Sequence, residues 1–331
     1  MVGAIVLDAR GRCVGRGFHA QAGEAHAEIV ALREAGDRAR GGTLFVTLEP
    51  CTVHGRTPPC VDAVIAAGPR RVVVAAKDPN PRVDGEGIAK LREAGIDVTV
   101  GVLEFAARKL NRPFEKNIVH GAPFLRAKLA RSYDGIVGSH ARRVRISDPM
   151  MERTTMRLRA EADAILVGVG TVQIDDPLLT VRDARYPART PVRIVLDPHL
   201  RTPPQASLFK EPGEVWLIHG PGANLKPLES LKNVTFIELP LDPKGQLDTK
   251  ALMGEWKRRS IRSVLVEGGP TTLGRLWGHI DEWVIYVHDA PLLDLPEPVF
   301  ADLGRPLHLS IDSVVRRAHD WEIVAHVHRD H

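Results

Sequence analysis

Apolar positions along this chain switch repeatedly between alternate-residue and helical spacing. The segment VGAIVLDARGRCVGRGF predicts two strands joined by a turn around Asp8–Gly11. HAEIVALREAG follows with helical spacing through Ile29, Val30 and Leu32, and Gly36 stands where a C-terminal cap belongs. TLFVTLEP predicts an apolar strand that Pro50 ends, and PPCVDAVIAAG a helix that its prolines open and Gly68 closes. RRVVVAAKD reads as a buried strand, GEGIAKLREAG as a helix, DVTVGV as a strand and ARKLNRPFEKNIV as a closing helix. Alternation of this kind predicts an α/β layer fold with a largely parallel sheet.

A second alternating series opens near APFLRAKLA at Ala122, with strands over DAILVGV, PVRIVLD, EVWLIHG, SVLVEGG and EWVIYVH. RYPARTPVR and HGPGANLKPLE read as surface loops. The chain has 331 residues, more than one core usually organises. Two domains are therefore expected, residues 1–119 and 120–331, with the boundary in HGAP, His120–Pro123.

Composition narrows the classes. Forty-five Lys and Arg against 41 Asp and Glu give a net charge of +4, a mild bias that suits small phosphorylated substrates but does not call for nucleic acid. No apolar run reaches membrane-span length, and the N-terminus lacks a signal-peptide pattern. The three cysteines (Cys13, Cys51 and Cys60) form no disulfide framework, which fits the cytoplasm.

Candidate chemistry sits at HAE and EPCTVHGRTPPC. His26, Cys51 and Cys60 supply one imidazole and two thiolates, the three-ligand set of a catalytic zinc site that keeps one position for water. Glu28, two residues after His26, can face the same cavity off the metal and carry a proton from water to a leaving amine. Cys60 opens a helix, where free N–H groups favour a thiolate. His54, between the cysteines, is the residue that could close the site as a structural one. The joint presence of His-Ala-Glu and Glu-Pro-Cys favours catalysis and resembles the zinc nucleobase deaminases. Cys13, alone in a strand, is expected in the core. In the second series no strand–GxGxxG–helix unit occurs, and VEGGPTTLGRL instead places a glycine turn between a strand ending at Glu267 and a helix starting near Thr271. Arg142, Arg143, Arg145, Arg153 and Arg157 form a basic run that could meet a cofactor phosphate, although such runs are often solvated faces.

The order GFHAQAGEAHAE, VTLEPC, GRTPPC, DPNPRVDGEG, SYDG, DAILVGVGTVQIDDPLLTVR and VEGGPTTLGRLW resembles the bifunctional riboflavin biosynthesis deaminase–reductases over almost the whole chain. That resemblance implies an N-terminal cytidine-deaminase-like three-layer α/β/α domain and a C-terminal dihydrofolate-reductase-like α/β domain. It implies zinc-dependent hydrolytic deamination of a diaminopyrimidinone carrying a ribosylamino 5′-phosphate, then NADPH-dependent reduction of the ribosyl group to ribityl. One zinc ion per deaminase domain and NADPH are the implied cofactors, and a homo-oligomer without nucleic-acid or membrane partners the implied assembly. His19, Arg56 and Asn80 match positions around the pyrimidine and phosphate. Ala130, Thr171, Asp175, Gly269, Pro270, Thr271 and Thr272 match cofactor positions, and Lys128, Arg159, Leu179, Arg182 and Glu267 match reductase substrate positions.

The match also has gaps. The family precedes MVGAIV with a helix and an Asn-Pro segment, so an upstream start is expected. Val53 stands at a family histidine and Arg145 at a family tryptophan, and the C-terminal region is shorter. These departures leave two alternatives: a reductase with a degenerate deaminase domain, and a zinc-stabilised binding protein without turnover. RNA deamination is disfavoured by the eight-residue insert between the cysteines and an aromatic content of 5%.

Overall fold

In the computed structural model, which describes residues 2–19, 23–53, 58–81, 83–186, 190–292, 295–300 and 308–327, the first hairpin forms around one aspartate. Asp8 Oδ1 accepts N–H bonds from Arg10 and Arg12, both at 2.9 Å, and Gly11 takes a positive φ of 79°. This turn reverses β1 (Gly3–Leu7) into β2 (Cys13–Phe18). The chain divides into two units, residues 1–122 and 123–331.

The first unit continues with α1 (Ala27–Ala35), β3 (Thr43–Leu48), α2 (Cys60–Ala67), β4 (Arg71–Ala76), α3 (Glu86–Glu93), β5 (Asp97–Val100) and α4 (Glu104–His120). Its sheet has the order β2-β1-β3-β4-β5. β1 pairs antiparallel with both β2 and β3, and only the β3–β4 and β4–β5 pairings are parallel. The expectation of a largely parallel sheet therefore fails here, because the tight Asp8 turn can only return an antiparallel strand. Alternate residues Ala4, Val6, Leu44, Val46, Val72 and Val74 point into one core with Ala27 and Ala31 of α1, Val61 and Val64 of α2, and Ile88 and Leu91 of α3. α4 covers a smaller cluster, with Ala107 against Leu48 and Ala76. Cys13 is exposed, contrary to its expected core position. A bulge opposite Val6 and Leu7, which pair with Gly15 and Cys13 and skip Val14, turns Val14 inward and leaves Cys13 outside with Arg16, whose Nε lies 3.3 Å from the sulfur.

α1 lies unusually close to β2. A Cβ on Gly17 would stand 2.1 Å from the Ala27 carbonyl oxygen, and one on Gly15 2.1 Å from that of Ala31. These two glycines admit the helix that His26 precedes and whose first turn carries Glu28.

The second unit begins with β6 (Phe124–Ser132), β7 (Ile136–Ser139), α5 (Met151–Glu161), β8 (Ala164–Gly168), α6 (Val169–Asp175) and β9 (Val192–Leu196). It continues with β10 (Val215–His219), β11 (Val234–Glu238), α7 (Thr249–Arg258), β12 (Ser263–Val266), α8 (Pro270–Leu276), β13 (Ile280–His288), β14 (Pro298–Phe300), β15 (Leu309–Arg317) and β16 (Asp320–Val327). Nine strands form one sheet in the order β11-β10-β9-β8-β12-β6-β13-β16-β15. From β11 to β13 neighbours run parallel, as the alternating pattern predicts; β16 and β15 then add an antiparallel edge. The core is double, with Leu166, Ile194, Ile218, Trp256 and Trp283 in one cluster and Ile165, Val167, Val195 and Leu217 in another. Patterning does not single out β15 because Ile311, Val314 and Val315 are exposed at the edge and blur its alternation.

Gly17→Ala should cost the full-length chain roughly 1–3 kcal/mol through overpacking against α1. Urea unfolding monitors it, and an unchanged midpoint would contradict the close approach.

Candidate active sites

His26 stands just before α1 with extended backbone, φ −68° and ψ 160°, so its ring leaves the helix axis towards α2. Cys60 is the first residue of α2, and Cys51 lies beyond Pro50 at the end of β3. The His26 Nδ1, Cys51 Sγ and Cys60 Sγ atoms all lie within 4.8 Å of one another. His26 Nδ1 is 3.0 Å from Cys60 Sγ and 3.6 Å from Cys51 Sγ, and the Cys60 N–H donates to Cys51 Sγ at 3.4 Å. One borderline nitrogen and two soft sulfurs at this separation fit a zinc ion. Among the described residues this is the cluster able to hold a metal; His54 and Arg56 lie outside the described residues.

Glu28 is 3% exposed in the first turn of α1, and burial pushes its carboxyl up to about 7. Hydrogen bonding from Cys60 takes Cys51 down to about 4, while the Cys51 sulfur pushes Cys60 up. The Cys51 hydrogen bond raises His26 against its burial. His19 packs edge-on to His26 at 5.0 Å between ring centres and holds its Nδ1 3.2 Å from the Ala25 carbonyl oxygen. Asn80 sits in a turn after β4, its N–H bonded to Asp78 Oδ1 at 2.9 Å. Val53 is exposed.

The second unit holds a cleft of about 350 Å³. Lys128, Ala130, Arg159, Thr171, Asp175, Leu179, Arg182, Glu267, Gly269 and Pro270, all singled out in the sequence, line it. Thr271 and Thr272 do not. α8 begins at Pro270, so Thr271 faces solvent, and Thr272 turns back into the space that a Cβ at Gly168 or Gly268 would need. Of the basic run, Arg143 and Arg145 reach the cleft; Arg157 instead bonds Glu161 at 3.3 Å.

At the base of the cleft Arg159 grips Glu267 through two bonds, Nε–Oε1 at 2.6 Å and Nη2–Oε2 at 2.9 Å. Burial alone would raise the carboxyl of Glu267, but Arg159 and then Lys128 hold it below its ordinary value. Burial lowers Lys128, whose ammonium lies 5.3 Å from the Tyr286 ring centre. Burial likewise raises Asp175, opposed by Arg143 and Lys128. Arg159 Nη1 also holds the Thr180 carbonyl at 3.0 Å, beside buried Leu179 with its positive φ of 53°. The ion pair therefore fixes a strained loop as well as a charge. Sequence reading misses Glu152, Thr155 and Met156 in this lining. Their signal was spacing, since residues 152, 155, 156 and 159 share one face of α5.

Comparison with known proteins agrees with both halves. Residues 1–76 match the cytidine and deoxycytidylate deaminase zinc-binding region, and residues 123–319 match the RibD C-terminal domain. The riboflavin biosynthesis protein RibD of Escherichia coli is 41% identical over 300 residues, 86% of this chain and 80% of that protein. The RibD of Aquifex aeolicus is 43% identical over 289 residues, with the same coverage of each. Acinetobacter baumannii RibD, in one of its crystal forms, superposes with a TM-score of 0.81 at 32% identity, covering 99% of this chain and 92% of that one. A diaminohydroxyphosphoribosylaminopyrimidine deaminase/5-amino-6-(5-phosphoribosylamino)uracil reductase from Thermotoga maritima gives 0.82 at 31% identity over 98% and 91%. The fold and its two sites are those of an enzyme joining a zinc-binding deaminase domain to a reductase domain. The chain belongs to the RibD family, the bifunctional deaminase–reductases of riboflavin biosynthesis.

Two expectations follow. Folded Glu28 keeps its proton to about pH 7, whereas the unfolded carboxyl releases it near 4.5. This contribution to stability is therefore full at low pH and is lost as pH rises through that window. In metal-free protein, Glu28→Gln should flatten the fall of the urea midpoint between about pH 5 and pH 8; equal slopes in both proteins would refute it. Glu267→Gln should destabilise the chain by roughly 3–5 kcal/mol, because Arg159 is left buried and unpaired. The double change to Met at both positions should recover part of that loss in denaturant titrations, and no recovery would contradict the ion-pair account.

Proposed function

We propose that residues 1–119 deaminate 2,5-diamino-6-(5-phosphoribosylamino)pyrimidin-4-one and that residues 120–331 reduce the ribosyl group of the product to ribityl with NADPH. In the first step water adds to the ring carbon bearing the amino group, and ammonia leaves. His26, Cys51 and Cys60 would hold zinc, which when bound lowers the pKa of a coordinated water. The observation that carries this reading is the convergence of those three donors with one deeply buried carboxyl. Glu28, with its carboxyl near 7, can accept a proton and return it at one oxygen near neutral pH, which suits transfer from water to the leaving amine. His19 and Asn80 would contact the pyrimidine, and Arg56 its phosphate. The intact set of four residues supports a working deaminase over a degenerate one.

In the second step hydride adds to C1′ of the opened sugar imine and a proton to its nitrogen; the hydride is the chemistry that NADPH supplies. The cleft suits a dinucleotide: a Cβ at Gly269 would meet only open space, and Gly268, Gly269 and Pro270 expose backbone along one wall. Ala130, Thr171, Asp175, Gly269 and Pro270 would hold the cofactor. Arg159, Leu179, Arg182 and Glu267 would position the substrate, and Lys128 would place a cation beside the reacting sugar. No helix among the described residues is long and apolar enough to cross a membrane. With the family likeness, this leads us to expect a cytoplasmic homo-oligomer that acts on small molecules and not on nucleic acid.

Glu28→Gln should lower ammonia release about 100-fold or more while zinc content and NADPH oxidation with the deaminated substrate persist. Mass spectra of the products and metal analysis read this out. Unimpaired deamination in the variant would remove Glu28 from the mechanism.

A further inference from the structure

Glu49 immediately precedes Pro50 and Cys51, and at 2% exposure it is the most buried charged residue described in the first unit. Its carboxylate accepts three backbone N–H bonds. Oε2 takes those of Asp78 at 3.2 Å and Gly85 at 3.0 Å, and Oε1 that of Ile88 at 3.1 Å. Its own N–H donates to the Ala76 carbonyl at 3.0 Å. Gly85, the N-cap of α3, has a positive φ of 92° and no side chain to cap the helix. Glu49 therefore caps α3 from beyond the end of β3 and ties Asp78, Gly85 and Ile88 together.

Both ends of this arrangement lead to site residues. Towards the metal donors, the Pro50 carbonyl seats on Gly87, where a Cβ would lie 2.2 Å from the oxygen. Cys51 comes next, its carbonyl held by the Val61 N–H at 3.2 Å and its sulfur by the Cys60 N–H. Towards the pyrimidine, Asp78 takes the Asn80 N–H, and the Asn80 carbonyl accepts from Val83 at 2.8 Å and Asp84 at 3.1 Å. A second clasp closes the outside, where Thr52 Oγ1 donates to Glu86 Oε2 at 3.0 Å.

We infer that Glu49 is a positioning residue that fixes Cys51 and the Asn80 turn together, so that metal retention and pyrimidine recognition are coupled through one buried carboxylate. The inference rests on the reading of residues 1–119 as a deaminase with Asn80 beside its substrate. An amide at this position keeps the shape but turns an NH2 group towards N–H donors, so at least one bond is lost and one donor is left buried without a partner.

The test uses the full-length chain with Glu49→Gln, Asn80→Ala and Thr52→Val. Zinc affinity is measured by chelator competition, KM and kcat by ammonia release, and folding by reductase activity and thermal midpoint. Glu49→Gln should weaken zinc binding about 10–100-fold and raise the pyrimidine KM in step, with reductase activity intact. Asn80→Ala should raise KM alone. Thr52→Val, at the surface clasp, should move both quantities in the same direction by less, and it decides the matter if Glu49→Gln does not fold. A lowered midpoint with unchanged zinc affinity and KM would make Glu49 a stability element only and overturn the inference, as would a change in one quantity without the other. If the unaltered chain binds zinc but releases no ammonia, the deaminase reading fails by itself. Hydrogen exchange then tests the coupling without turnover: zinc should slow exchange of the Gly85 and Ile88 amides in the unaltered chain and not in Glu49→Gln, and equal slowing in both would overturn it.

Discussion

A charge removed from water has to be met by a partner, and both units of this chain are arranged around charges met in that way. The partners differ. Arg159 and Glu267 answer each other directly through two hydrogen bonds, with Lys128 close enough to add its charge. Arg126 is pinned between Glu282 and Glu161 in the same unit. Elsewhere the partner is backbone. Glu49 is met by three N–H groups, and the Nη1 and Nη2 groups of buried Arg193 by the carbonyls of Leu208, Glu211, Pro212 and Gly213 at 2.5–3.0 Å. A side chain that collects backbone groups from a loop fixes its course where no regular ladder can. Glu28 is the exception, since burial without a strong cationic partner leaves its carboxyl near 7, the property a proton carrier needs.

Close backbone approach is the second means by which these sites are assembled. Gly15 and Gly17 bring α1 down on β2, which sets the depth of His26 and Glu28 against Cys60 at the start of α2. Gly87 lets the Pro50 carbonyl lie on α3. In the second unit Gly168 and Gly268 make room for Thr272, so that α8 packs tightly where β8 and β12 end. Each of these glycines is required by what lies opposite it and not by a turn, and each stands within a few residues of chemistry.

The two units reach their sites by different topologies. In the first, an antiparallel hairpin flanks a short parallel pair, and the metal donors come from a helix start, a strand end and the start of a second helix. In the second, a long parallel sheet presents the ends of β8, β12 and β6 side by side, and the cleft opens there, as expected for open α/β sheets. α5 supplies the opposite wall through residues spaced three and four apart.

The sequence by itself determined much of this protein. Period and punctuation placed α1, α2, α3 and the parallel strands, because buried faces leave a regular apolar signature. His26, Glu28, Cys51 and Cys60 were legible because metal and proton chemistry needs those residue types and few others. Other features depended on the tertiary structure. The antiparallel pairing of β1 with β3, the outward side of Cys13 and the edge strands β15 and β16 depend on which strand becomes a neighbour, and local pattern does not carry that information. Glu49 reads as an ordinary charged residue until three amides from residues 78 to 88 close on it. Arg159 and Glu267 are 108 residues apart in the chain, and only the packing of α5 against the end of β12 makes them a pair. Residue type fixes what chemistry a side chain can do; burial and long-range contacts fix its protonation and its partners, because desolvation exists only once the chain has folded around it.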